Sequence, residues 1–116
     1  MRKDTVYKAM LFDFFGDLLT EKQREYFDLH YNEDFSLAEI AEQSGISRQG
    51  VWDIIRRAEL SMLEAEEKTG VVQRFREMQG TISAIEDTLA ELLPITEGRA
   101  RELTTDLADK VADLKR

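Results

Sequence analysis

The segment that decides the fold is residues 37–54, LAEIAEQSGISRQGVWDI. Its spacing is typical of a helix-turn-helix, because small Ala41 falls where the two helices cross and Gly45 suits a turn with positive φ. Ser36 and Glu39 match a capping box at the start of the first helix, and Ser47 is the natural N-cap of the second. The motif predicts one shared core made of Ile40, Ala41, Ile46, Val51 and Ile54.

The other side of the second helix is predicted to face outward. In such motifs the N-terminal part of this helix enters the major groove of DNA. Arginine and glutamine side chains can pair with guanine and adenine edges, and amides at a helix N-terminus can donate to a phosphate. A lone tryptophan here can cover its neighbours or can stack on a partner, and we favour stacking. The predicted nucleic-acid-binding residues are Ser47, Arg48, Gln49, Trp52, Arg56 and Arg57.

Helical signals continue on the N-terminal side of the motif. A first helix is predicted over residues 5–19, with an apolar stripe of Val6, Met10 or Leu11, Phe14 and Leu18 that Phe12 and Phe15 widen. Thr20 and Gln23 form a second capping box, which predicts a helix starting at Thr20. With one proline, 6 glycines and no run that alternates with period two, the chain is predicted to be all-α.

A different pattern follows the motif. Apolar residues recur at alternating steps of four and three in residues 71–92, and Pro94 ends the run before a last helix at about residues 96–114. We therefore divide the chain into a helix-turn-helix domain, residues 1–60, and a coiled-coil-like helical extension, residues 61–116. A second chain or the last helix can cover the heptad stripe, and we favour a homodimer. The predicted dimer interface is Val71, Phe75, Met78, Ile82, Ile85, Leu89 and Leu92.

Composition excludes several classes of function. The chain has no cysteine, one histidine and none of the common catalytic or phosphate-binding motifs, so we predict no enzyme activity, no cofactor and no metal site. It has no run apolar enough to insert in a membrane and no signal-peptide pattern, which predicts a cytoplasmic protein. Its formal net charge is −8. Because DNA affinity depends mainly on cations placed against phosphates, binding requires a local basic face.

Two stretches resemble known families. Residues 19–31, 36–41, 46–51 and 56–59 are similar to region 4 of bacterial sigma factors, and residues 11–20, LFDFFGDLLT, resemble the YlxM family of small bacterial proteins. Members are commonly encoded beside the genes for the signal recognition particle protein and its receptor. The resemblance therefore implies a regulatory protein that binds double-stranded DNA and takes part in the signal recognition particle pathway. The alternative is an acidic, non-catalytic module that docks onto a basic ribonucleoprotein or transcription partner.

Overall fold

Residues 2–115 are described by the computed structural model, with side chains from Thr5 onward. These residues form six α-helices and two short 3-10 turns, and they contain no strand. The helices are α1 (Arg2–Phe15), α2 (Glu21–Tyr31), α3 (Leu37–Ser44), α4 (Arg48–Thr69), α5 (Val71–Leu92) and α6 (Gly98–Asp113), and the 3-10 turns are Gly16–Leu18 and Leu93–Ile95. The all-α prediction is confirmed.

Local side-chain chemistry starts the helices where the sequence predicted. Thr20 and Ser36 each cap a helix in a complete capping box, with Gln23 and Glu39 reaching back to the cap amides. The Ser47 hydroxyl accepts from the amide of Gly50 at 3.0 Å and caps α4. Gly45 ends α3 in the left-handed region, at φ 73°. A left-handed residue there reverses the chain between α3 and α4 without a steric penalty.

The chain divides into two compact units, the first ending at Val72 and the second beginning at Gln73. The first unit contains α1 to α4 and one core, whose buried side chains are Leu11, Phe15, Tyr26, Phe27, Ile40, Ala41, Val51, Ile55, Ala58, Met62 and Val72. The sequence placed the boundary after residue 60. In the structure α4 continues to Thr69 and buries Met62 in the first core, so the boundary lies further along the chain.

The predicted apolar stripe of α1 was wrong at three positions. Val6, Phe14 and Leu18 are exposed, the last with 71% of its surface accessible. Leu11, predicted as the alternative to Met10, and Phe15, predicted to widen the stripe, lie in the core four residues apart. The physical reason is that the α-helix ends at Phe15 and gives way to a 3-10 turn. Leu18 therefore does not extend a 3.6-residue stripe, and a shift of one residue rotates the buried face by about 100°.

Two of the five predicted core residues of the motif are not fully buried. Ile40, Ala41 and Val51 are buried, whereas Ile46 is 38% exposed and Ile54 is only partly buried. The inward face of α4 is Val51, Ile55, Ala58 and Met62, which repeat at steps of four, three and four. Ile46 lies in the turn next to Gly50, where its Cδ1 is 3.5 Å from the position that a Cβ on Gly50 would take.

The second unit contains most of α5 and all of α6. Ile82 and Leu89 of α5 are buried with Val111 of α6, and Ala108 packs against them. Leu93–Ile95 forms the 3-10 turn with Pro94 in its first part, which ends α5 as predicted. The last helix begins at Gly98 rather than near residue 96, because the Thr96 hydroxyl donates to the carbonyl of Leu93 inside the turn.

Candidate nucleic-acid interface

The N-terminal ends of α3 and α4 border one cleft of about 810 Å³ in the first unit. The two capping serines, Ser36 and Ser47, both line it. The first turn of α3 supplies one wall, and the first turns of α4 supply the other. The complete lining is Ser36, Leu37, Ala38, Ser47, Arg48, Gln49 and Trp52. Four of the six residues predicted to bind nucleic acid, Ser47, Arg48, Gln49 and Trp52, therefore lie together around one concave surface.

Gly50 lies close to the capping serine at the start of α4. A Cβ added to Gly50 would lie 3.3 Å from the Ser47 Oγ atom and 3.5 Å from Ile46. A side chain at residue 50 would therefore press on the capping hydroxyl. The hydroxyl would then have to shift by a few tenths of an ångström.

The predicted contact residues differ in how free their side chains are. Arg48 and Arg57 are exposed and make no ion pair or hydrogen bond with the residues that the structure describes. The Gln49 amide donates to Asp53 Oδ1 at 3.0 Å, so part of its hydrogen-bonding capacity is used within α4. An unpaired guanidinium can turn to an incoming anion without first giving up a partner. Arg48 is thus the cation best placed to act in the cleft.

Arg56, whose side chain is 52% exposed, borders a cluster of polar residues from three helices. Its Nη1 atom lies 3.5 Å from Glu59 Oε1, and Lys8 Nζ lies 3.5 Å from Glu59 Oε2. Glu59 is buried, and its Oε2 atom has no hydrogen-bond partner among the described residues. Lys8 also donates to the Tyr31 hydroxyl at 3.2 Å and lies over the Tyr31 ring. This cluster ties α1, α2 and α4 together and uses Arg56 within the fold.

No local signal in the sequence marks that cluster. Lys8, Tyr31 and Glu59 are far apart along the chain, and each is a common residue on a charge-rich helical surface. The only hint is the position of Glu59, one residue after the buried Ala58 on the inner side of α4. A buried carboxylate needs a paired cation, and that argument asks for a lysine or arginine without identifying Lys8.

Trp52 packs on neighbouring side chains and is also accessible to a ligand. It is partly buried and packs against the first core, and it also lines the cleft beside Arg48. An indole fixed by the core on one side can offer the other side to a ligand at little entropic cost. His30 has a structural place away from the cleft, since its Nδ1 atom lies 2.8 Å from the carbonyl oxygen of Phe35 and its ring meets Tyr31 edge-on.

A carboxylate limits the positive potential near the cleft. The backbone hydrogen bond from Ser36, followed by a side-chain hydrogen bond with Ser36, holds the pKa of Glu39 below its ordinary value. Glu39 therefore stays ionised at the start of α3, where the helix dipole also favours an anion. Only cations that project beyond this carboxylate can meet a phosphate on favourable terms.

The described residues form neither a metal-binding cluster nor a membrane-spanning helix. In the described part of the chain, no three His, Asp or Glu residues converge in a way that could hold a metal ion. None of the helices between residues 2 and 115 is long and apolar enough to cross a membrane.

The fold and the cleft define a helix-turn-helix protein. The model of the UPF0122 family, described as "Putative helix-turn-helix protein, YlxM / p13 like", matches residues 2–110. A UPF0122 protein of Thermoanaerobacter sp. (strain X514) is 42% identical over 89% of this chain and 96% of its own. A UPF0122 protein of Caldanaerobacter subterraneus subsp. tengcongensis is 46% identical over 77% of this chain and 76% of its own. One from Bacillus cereus (strain AH187) is 43% identical over 78% of this chain and 83% of its own. The chain belongs to the UPF0122 family, which confirms the resemblance seen in the sequence.

Proposed function

We propose that the chain is a regulatory protein that binds double-stranded DNA through the first turns of α4. The observation that carries the proposal is the meeting of an unpaired, exposed Arg48 with Trp52 and Gln49 around one cleft. In helix-turn-helix proteins the corresponding part of the second helix reads base edges. Arginine is the side chain most often used for guanine, and it binds through two hydrogen bonds.

The contacts have separate roles in this proposal. Arg48 and Gln49 contact base edges, and Ser47 and the first amides of α4 contact a phosphate. Arg57, exposed and unpaired among the described residues, contacts a phosphate further along the backbone. Arg56 contributes less than its position in the sequence indicates, because Glu59 already holds it. The net charge of −8 makes the complex weak and strongly dependent on salt.

The test is a fluorescence anisotropy titration against fragments selected from genomic DNA, repeated at several salt concentrations. Arg48→Ala is expected to cost about 1–3 kcal/mol of specific binding and to relax the preference for one sequence. Arg57→Ala is expected to weaken binding to all sequences by a similar factor and to reduce the slope of affinity against salt.

Arg101→Ala is the matched control, since it removes an exposed arginine from α6 in the second unit. It should bind like the wild type. Arg56→Ala is a poor probe, because it also removes a cation from the buried Glu59 carboxylate and can alter the fold. If no fragment is enriched at low salt, or if Arg48→Ala binds as tightly as the wild type, the DNA-binding proposal is wrong.

A second candidate function rests on the acidic surface. Net charge −8, together with Glu39 and Asp53 beside the cleft, fits docking onto a basic ribonucleoprotein. The signal recognition particle is the partner that the family resemblance implies. Titrating the labelled chain with purified signal recognition particle, then with its protein freed of RNA, separates this candidate from DNA binding. Glu42 is another exposed carboxylate of α3. Glu42→Lys should weaken such a complex and leave the affinity for DNA unchanged or increased.

A further inference from the structure

The second unit has an apolar face that its own two helices leave uncovered. The seven residues of the predicted heptad divide into three groups. Val71 packs against the core of the first unit, and Ile82 and Leu89 are buried against α6. The exposed members are Phe75, Met78, Ile85 and Leu92, Met78 by 58%. Leu107 of α6, 49% exposed, lies beside Ile85 and Leu92. A groove of about 350 Å³ runs along the face, lined by Thr81, Ala84, Ile85, Thr88, Leu89, Leu92 and Leu107. None of these lining residues carries a charge.

The exposed residues form a stripe of their own along α5. Its members are Arg74, Met78, Thr81, Ile85, Thr88 and Leu92, again at alternating steps of four and three. Bulky and small side chains alternate within it, since threonines separate Met78, Ile85 and Leu92. Arg74 stands at one end of the stripe and Glu91 stands beside its other end. Both are exposed, and neither has an ion pair or hydrogen bond with the described residues.

The alternation of side-chain size and the two end charges favour an antiparallel second copy of the chain on this face. In a parallel pair of α5 helices, each bulky residue would meet its own copy and two Arg74 side chains would repel each other. An antiparallel second copy reverses both relations. Met78 and Ile85 then lie opposite Thr88 and Thr81, so large side chains fill the space left by small ones. Arg74 of each chain lies beside Glu91 of the other, which gives two reciprocal ion pairs.

We propose that this face binds a second copy of the chain, with the two α5 helices antiparallel and joined at each end by an Arg74–Glu91 ion pair. The interface is isologous, as expected for a symmetric dimer. It uses the outward half of the predicted heptad together with Leu107, while Ile82 and Leu89 stay inside each hairpin. Such a dimer also presents two copies of α4, so it extends the proposed function, although its formation needs no DNA.

The first test is the oligomeric state of the full chain without DNA, measured by sedimentation equilibrium over a range of concentrations. Wild type is expected to dimerise, and Ile85→Asp is expected to weaken the dimer roughly 30-fold or more, since it places a carboxylate in the centre of the interface. Ser83→Asp, the same change at an exposed position on another side of α5, should leave the dimer intact. Far-UV circular dichroism of each variant checks that the helices remain.

Charge reversal then tests the ion pairs. Arg74→Glu and Glu91→Arg should each weaken the dimer several-fold, because every dimer exchanges two attractive contacts for two repulsive ones. Combining both changes should restore wild-type association to within about twofold, as expected for a direct ion pair. Arg101→Glu on α6 is the control for a change of net charge and should have no effect.

Cross-linking tests the direction, because the chain has no cysteine of its own. Arg74→Cys and Glu91→Cys proteins, mixed and mildly oxidised, should give a disulfide-linked dimer, whereas neither protein alone should. Residues 74 and 91 lie about 25 Å apart along one helix, so an antiparallel dimer keeps identical cysteines too far apart to bridge. A cross-link in Arg74→Cys alone, a monomeric wild type, or a failure of the double reversal to restore binding overturns the proposal. Arg48→Ala should dimerise normally, so a loss of DNA binding and a loss of dimerisation are distinguishable.

Discussion

Four helices of the first unit enclose Phe27, Ile40 and Ile55 completely, whereas the hairpin of the second unit buries Ile82, Leu89 and Val111 along one seam. The difference follows from the number of neighbours. A helix that is packed on two sides can bury a wide face, while a helix in a two-helix hairpin can bury only the stripe that meets its partner. Met78, Ile85, Leu103 and Leu107 therefore remain exposed in the second unit although their spacing is regular. Regular apolar spacing predicts that a helix face packs against another surface. It does not identify whether that surface belongs to the same chain or to a partner.

Truncating one buried side chain in each unit tests this contrast most strongly. Phe27→Ala is expected to lower the free energy of unfolding of the first unit by about 3–5 kcal/mol, because Phe27 is fully buried, stacks on Phe12 and packs at a tilt against Tyr31. Ile82→Ala should cost roughly 2 kcal/mol in the second unit, the low end for such a change, since fewer side chains surround it. Urea unfolding followed by Trp52 fluorescence reports on the first unit, and hydrogen exchange of α5 and α6 reports on the second.

Phe14→Ala is the control for the first unit and should cost less than about 1 kcal/mol, since Phe14 is exposed. Ile82→Ala should leave the Trp52 transition near its wild-type midpoint. If Ile82→Ala shifts that midpoint as far as Phe27→Ala does, the two units unfold as one and the contrast between them is not energetic.

Two glycine substitutions, one in each unit, are expected to change the free energy of unfolding by smaller amounts and in opposite directions. Gly45 has φ 73° and Gly80 lies within α5, and an added Cβ meets nothing within 4 Å at either position. Gly45→Ala should therefore destabilise the first unit by about 1–2 kcal/mol through backbone strain alone. Gly80→Ala should stabilise the second unit by roughly 0.5–1 kcal/mol, because alanine loses less backbone entropy in a helix. Thermal unfolding and hydrogen exchange measure both, and a stabilising Gly45→Ala would contradict the left-handed cap.

The smallest expected effect is the response of the first unit to pH through Glu39. Its pKa is lowered in the folded chain, chiefly by the backbone hydrogen bond from Ser36. A carboxyl with a lowered pKa stabilises the fold above its ordinary pKa, and this contribution is lost as the pH falls through the folded-state value. NMR titration of the Glu39 carboxyl should show the lowered pKa, and Ser36→Ala should move it partway back. An unchanged titration in Ser36→Ala would mean that the capping hydroxyl has no part in the shift.

Helix boundaries were the most predictable part of the chain. Thr20, Ser36 and Ser47 start helices, Gly45 ends one and Pro94 stops another, because caps and breakers act through bonds to residues three or four positions away. The same local chemistry placed Arg48, Gln49 and Trp52 at the start of the second helix of the motif. These features depend on residues close in sequence, and the sequence alone determines them.

Burial depended on partners distant in the chain. Nothing local distinguishes Leu11 from Met10, or Ile55 from Ile54, as the residue that enters the core, since a rotation of one residue changes the answer and the neighbouring helices select it. The tertiary structure also decided that Lys8 and Glu59 meet, whereas Arg56 and Glu59 pair locally, three residues apart on α4. In the same way, the heptad pattern of α5 predicted that its apolar residues pack against another helix. Only the packing of α6 decided that Ile82 and Leu89 are buried within the chain while Met78 and Ile85 stay exposed.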